Sequence, residues 1–300
     1  MTDGTALANI DESVFGGGIL GRPKGAAAQA IVVLAVIAAC GIFGLAARWF
    51  QLPELPHFDG SVLLGSSPIA VLLIVVVLLL ITMLVGTVIA GCVRFEAGLF
   101  AACVGLMVLS LRGGTIQSVL FEAGTGPHVF VVLAIELVIL SSIIALMWLI
   151  LWRIGRARLD ATIIDQSPPQ DAPAGGAVAG VSAMITQAIA TALIMMLLCQ
   201  SQAKYQTLAS VLVSSMIGAM IAYGVFPARP SVWFWSGALL VGLVGYLLAA
   251  AGQDTGLAIG APDGLFAPLA RPLPLDYASL GTAGAILGYW SIRNKHEEKK

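Results

Sequence analysis

Of the chain's 300 residues, 59% are hydrophobic and 10% are charged, the mean hydropathy is +0.97 and the formal net charge is −1. A soluble domain carries about 45–50% apolar and about 25% charged residues, so this chain has more apolar surface than a soluble core can bury. With no basic domain, nucleic acid is excluded as a partner, and the composition predicts an all-α, polytopic integral membrane protein whose main partner is the lipid bilayer.

Residues 1–25 are acidic and Gly-rich and read as a cytoplasmic N-terminal segment with no cleaved signal, because no basic stretch precedes a short apolar run. Within it Gly16, Gly18 and Gly21 spell G-x-G-x-x-G. No strand precedes that motif and Arg22-Pro23 follows, so the dinucleotide-binding context fails. A bilayer core of about 30 Å takes about 20 apolar residues per helix. On that measure a bundle of eight spans is predicted, at 26–47, 67–91, 95–111, 129–152, 177–199, 207–226, 231–251 and 275–292. The spans 95–111 and 275–292 are short and Gly-rich, yet dropping either one alone spoils the alternation of charge.

That alternation sets the predicted topology. Arg22, Lys24, Arg94, Arg153, Arg156, Arg158, Arg229, Arg293, Lys295, Lys299 and Lys300 fall on one side, and Arg48, Arg112, Lys204 and Arg271 on the other. The positive-inside rule then puts both termini in the cytoplasm. With no recognisable organelle address, the expected compartment is a bacterial cytoplasmic (inner) membrane. The segment 153–176, with Ser167-Pro168-Pro169, reads as a flexible cytoplasmic linker between a first half at 26–152 and a second at 177–292, and 293–300 as a charged cytoplasmic tail.

The halves correspond faintly. Gln29-Ala30-Ile31 precedes Cys40 as Gln187-Ala188-Ile189 precedes Cys199, and Val104-Gly105-Leu106 matches Val241-Gly242-Leu243. Two readings stand: a parallel 4+4 repeat with any site between the halves, or chance matching of low-complexity apolar segments. The outer loops 48–66 and 252–274, with Trp49-Phe50 and Leu265-Phe266, read as interfacial segments.

Glu136 is the strongest candidate for chemistry, since a carboxylate well inside a span is costly unless paired, hydrated or protonated, and such a group can carry a proton. The competing reading is an interhelical bond that fixes packing. Asp276 opens the last span at a comparable place, but after Pro272 and Pro274 it also reads as an N-cap. Arg112 and Lys204 are cationic partners on the outer side or simply solvated loop charges; Arg112 precedes Gly113-Gly114, whose backbone could approach an anion. Gln187 and Thr191 share one helical face and read either as a polar path or, preferentially, as interhelical glue.

Small residues repeat every four positions at Ala97, Ala101 and Gly105, at Ser210, Ser214, Gly218 and Ala222, and at Gly284 and Gly288, which predicts close helix contacts. Cys40, Cys92, Cys103 and Cys199 form no C-x-x-C pair and read as packing residues. His57, His128 and His296 are scattered. With no H-E-x-x-H, G-x-S-x-G or G-x-x-x-x-G-K-[ST], no catalytic residue, metal or cofactor is assigned and the reading leans away from an enzyme. Two function classes remain. One is a small permease or ion-coupled transporter centred on Glu136. The other is a non-transporting subunit or scaffold that binds a membrane-protein partner or further copies of itself.

Overall fold

The computed structural model describes residues 26–49, 61–65, 67–91, 93, 96–124, 126–162, 177–228, 231–254 and 267–297. The G-x-G-x-x-G segment, Arg94, Arg229, the tip of each outer loop and residues 163–176 of the linker lie outside them. No strand occurs among the described residues. In chain order the helices are α1 Ala26–Trp49, α2 Pro68–Ala90, α3 Ala97–Arg112, α4 Ile116–Ala123, α5 Pro127–Thr162, α6 Ala177–Leu198, α7 Lys204–Val225, α8 Val232–Asp254, the short turn α9 Ala267–Ala270, α10 Pro274–Asp276, and α11 Thr282–Glu297. A π-helical segment, Tyr277–Gly281, joins α10 to α11.

A helix stands at each of the eight predicted spans, but they are not equivalent. Six (α1, α2, α5, α6, α7 and α8) are long and apolar enough to cross a membrane, which makes the chain a multi-pass membrane protein. The third predicted span qualifies only together with α4, from which it is bent by 57°. The last runs as one continuous helical stretch over 274–297 with a π segment inside it, and its α-helical part after that segment, α11, has 16 residues. At 36 residues, α5 is about 54 Å long at 1.5 Å per residue, and it runs through Thr162 into the segment expected to be a flexible linker.

Helix α3 is the centre of the assembly. It packs against α1 and α2 on one side and against the π segment, α10 and α11 on the other. Small residues allow the close approach: Gly105 lies against Ala39 and Phe43 of α1, and Gly86 of α2 faces Gly98 and Ala101. In the second half α6, α7 and α8 form a tight group, and α11 lies along α7 with Gly284 against Leu212 and Gly288 against Met216 and Ala219. Ala97, Ser210, Ser214 and Ala222 are buried, and Gly218 presses on Thr191.

The two sequence halves do not pack as separate four-helix units. Helix α5, the last of the first half, packs mainly on α8, while the π segment of the second half packs on α3. The matched glycines also meet different neighbours, Gly105 facing α1 and Gly242 facing Tyr277.

Candidate functional site

Two buried polar clusters tie α3 to the second half, one at each end of that helix. At its C-terminal end the centre is Asp276, 1% exposed. Pro274 starts α10 with a fixed φ, and Leu273 is the N-cap residue. Asp276 is therefore not the N-cap expected from the sequence. It sits three residues further on and reaches back, its Oδ2 accepting the Leu273 N–H at 2.8 Å. Its Oδ1 accepts the Lys204 ammonium at 2.7 Å and the Ser110 hydroxyl of α3. Lys204 begins α7 and its side chain is only 12% exposed, so this is a buried ion pair.

Two tyrosines secure the backbone that carries this pair. The Tyr277 hydroxyl donates to Leu269 O at 2.7 Å, and the Tyr246 hydroxyl of α8 donates to Pro272 O. Arg271 donates from Nη1 to Cys199 O at 2.5 Å, fastening the same segment to the end of α6.

Glu136 of α5 is also 1% exposed. Its Oε2 accepts the Ser61 hydroxyl at 2.5 Å and the Leu63 N–H at 3.1 Å, so the carboxylate holds the short segment that precedes α2 rather than another helix. Its Oε1 has no hydrogen-bond partner among the described residues. Helix α10, which carries Asp276, packs on α5, which carries Glu136. The two carboxylates singled out in the sequence thus share a neighbourhood, although they come from opposite halves.

At the other end of α3, Glu96 is buried, accepting the Ser231 hydroxyl on Oε1 and the Trp290 indole N–H on Oε2 at 2.9 Å. Trp290 also packs on Phe100, with ring centroids 5.2 Å apart. Sequence reasoning passed over Glu96 although it falls inside the predicted span 95–111. The signal was a second carboxylate inside an apolar run, masked by its closeness to Arg94 and to a turn.

The remaining candidates are dispersed. Arg112 is exposed at the end of α3, and the Gly113 N–H is used within the helix end, donating to Leu109 O and Ser110 O. Gln187 and Thr191 are fully buried on α6. Thr191 donates to Ser214 O across to α7 at 3.4 Å, and the Gln187 amide lies against Gly237 of α8 with neither polar atom hydrogen-bonded among the described residues. No group of three or more His, Cys, Asp or Glu able to hold a metal ion occurs among the described residues. No protein-family model, curated protein or solved structure matches this chain.

Proposed function

We propose that the protein is a small ion-coupled transporter of a cytoplasmic membrane, with both termini cytoplasmic, Glu136 as the proton-carrying group and the Asp276–Lys204 pair as its electrostatic partner. The observation that carries this reading is a pair of buried carboxylates on packed helices, Asp276 of α10 and Glu136 of α5, one of them with an oxygen that no described residue satisfies. Ionisable groups at membrane depth are costly and are kept chiefly for relays and solute sites. π segments inside helices occur frequently at functional sites, and Asp276 directly precedes the one in the last helix.

The chemistry follows from the hydrogen bonds. An ionised Glu136 accepts charge-assisted bonds from Ser61 and Leu63, about twice as strong as neutral ones. Protonation weakens that hold and releases the segment 61–64 from α5, which couples proton uptake to opening on the Asp276 side of the bundle. The unsatisfied Oε1 is the atom that takes the proton.

The test is proton flux into proteoliposomes carrying a trapped pH-sensitive dye, driven by a potassium diffusion potential. The full chain is expected to admit protons, and Glu136→Gln to abolish the flux while eluting as a folded monodisperse species. Full flux in Glu136→Gln would remove Glu136 from the mechanism. A second reading, a non-transporting subunit, is favoured by the closed pairing of Asp276. Inert proteoliposomes together with a stably co-purifying partner would establish it instead.

A further inference from the structure

Among the described residues three carboxylates are buried, Glu96, Glu136 and Asp276. Their hydrogen bonds share a property that their positions in the sequence do not suggest. Helices α1, α2 and α3 pack on one another, and the helices from α5 to α11 form a second group in which α5 lies on α8. Each buried carboxylate takes a donor from across the boundary between these groups. Glu136 of α5 accepts the Ser61 hydroxyl at 2.5 Å and the Leu63 N–H at 3.1 Å, both from the segment that leads into α2. Asp276 of α10 accepts the Ser110 hydroxyl of α3. Glu96, immediately before α3, accepts the hydroxyl of Ser231, next to the start of α8, and the indole N–H of Trp290 on α11.

The inside of the first group is built differently. Its helices meet through small residues, and a methyl added at Gly98 or Gly105 would collide with Thr87 of α2 or Phe43 of α1. The hydroxyls of Thr82 and Thr87 donate within their own helix, to Leu78 O and Met83 O. The second group combines close packing with bonds of its own. Gly284 and Gly288 press on α7, Tyr246 donates to Pro272 O, and Arg271 donates to Cys199 O.

This difference decides where the bundle can part. Lipid is as apolar as these helix faces, so packing and hydrogen bonds hold the helices together rather than the hydrophobic effect. Parting α1 from α3 gives up close contacts and uncovers only apolar groups, around Ala39, Phe43 and Gly105. Parting α3 from α10 and α11 lets water replace the donors to Asp276 and Glu96, which offsets most of the loss. The boundary that carries the carboxylates is therefore the one that opens at least cost.

The connection between the groups permits such a motion. Among the described residues the chain passes from one group to the other once, over 113–126. That passage is the eight-residue α4, with Gly113-Gly114 before it and Gly124 and Gly126 after it. Helix α4 is bent by 57° from α3. Gly124 has φ 89°, the one positive φ among the described residues, and a methyl added there would meet nothing within 4 Å.

We infer that α1–α3 and α5–α11 are two rigid bodies that rock against each other about α4, with the three carboxylates as latches. Glu136 and Asp276 act toward the Arg112 end of α3, and Glu96 acts at its other end. The moving boundary is thus not the 153–176 linker that divides the predicted halves. The inference does not require Glu136 to carry a proton, and it is read from distances rather than flux.

The test is double electron–electron resonance on the full chain with Cys40, Cys92, Cys103 and Cys199 changed to alanine and spin labels attached to cysteine pairs at exposed positions. Leu45→Cys with Tyr205→Cys spans the boundary at the Arg112 end of α3, and Val88→Cys with Val178→Cys spans it at the Glu96 end. Leu45→Cys with Val88→Cys lies within the first body, and Leu146→Cys with Leu197→Cys lies within the second, across the linker. Ser61→Ala with Ser110→Ala removes donors from the latches at the Arg112 end, and Ser231→Ala with Trp290→Phe removes those of Glu96. Each of these variants is expected to add a longer component to the boundary-spanning pair at its own end and to leave both within-body pairs unchanged. In the labelled chain with all latches intact, urea below the unfolding midpoint should lengthen the boundary-spanning pairs before the within-body pairs. No lengthening across the boundary, in the latch variants or in urea, overturns the inference. So does an equal lengthening within the first body, and so does a lengthening confined to the Leu146–Leu197 pair, which would put the moving boundary at the linker.

Discussion

Lys204→Met is the sharpest perturbation of the ion pair. It keeps most of the side-chain length and removes the charge that faces Asp276 at 2.7 Å. Deleting one partner of a buried pair costs about 3–5 kcal/mol, because the other charge is left without compensation. Asp276 would retain the Leu273 N–H at 2.8 Å and the Ser110 hydroxyl, so the lower end, about 3 kcal/mol, is expected. The reverse change, Asp276→Asn, should cost less, about 1–3 kcal/mol, since Lys204 is 12% exposed and its long stem can carry the ammonium toward solvent. The double variant should be more stable than Lys204→Met alone, and the two effects should couple by at least about 1 kcal/mol. Equilibrium unfolding in mixed micelles across the four-member cycle measures this. A Lys204→Met variant as stable as the parent, or a coupling indistinguishable from zero, would refute the claim that the pair is buried and mutually dependent.

Three further outcomes are expected. Trp290→Phe keeps the ring against Phe100 but removes the indole donor to Glu96, and should destabilise by about 1–3 kcal/mol in the same unfolding assay. Gly284→Leu drives a side chain into the Leu212 backbone of α7, so the variant should elute as aggregate or as a broadened species in size-exclusion chromatography. Ser61→Ala leaves Glu136 with the Leu63 N–H alone on Oε2, and the proton-flux assay should show a shifted pH dependence with the maximal flux retained.

Charge in an apolar background is conspicuous, so Glu136, Asp276 and Lys204 were legible in the sequence. Lys204 also stood out as a candidate cationic partner, but which carboxylate it meets did not. Asp276 and Lys204 are 72 residues apart, and Ser110 and Ser61 carry no pattern that distinguishes a carboxylate's partner from any other serine. Helix positions were legible for the same reason that helix faces were not. In α5, Leu133, Leu137, Leu140 and Ile144 are buried while Val131, Ile135 and Val138 are exposed. When lipid is the solvent both faces are apolar, so no stripe in the sequence points α5 toward α8. The small-residue ridges carried more information, because only glycine or alanine admits another backbone at that distance, as Gly284 and Gly288 do along α7. The π segment had no signal beyond Pro272 and Pro274, since one extra residue in a turn leaves composition unchanged.

The central place of α3 has a consequence for how the chain is made. Helix α3 ends at Arg112, and the groups that satisfy its far face, Asp276 and Trp290, come from a part of the sequence that leaves the ribosome well after it. At 5–20 residues per second, α3 waits on the order of ten seconds or more in the bilayer with Glu96 and Ser110 lacking these partners. During that interval the nascent protein exposes its own unfinished centre to the membrane. A ribosome that stalls before Pro274 therefore leaves six long helices inserted around an axis that nothing has closed, a natural substrate for membrane proteases.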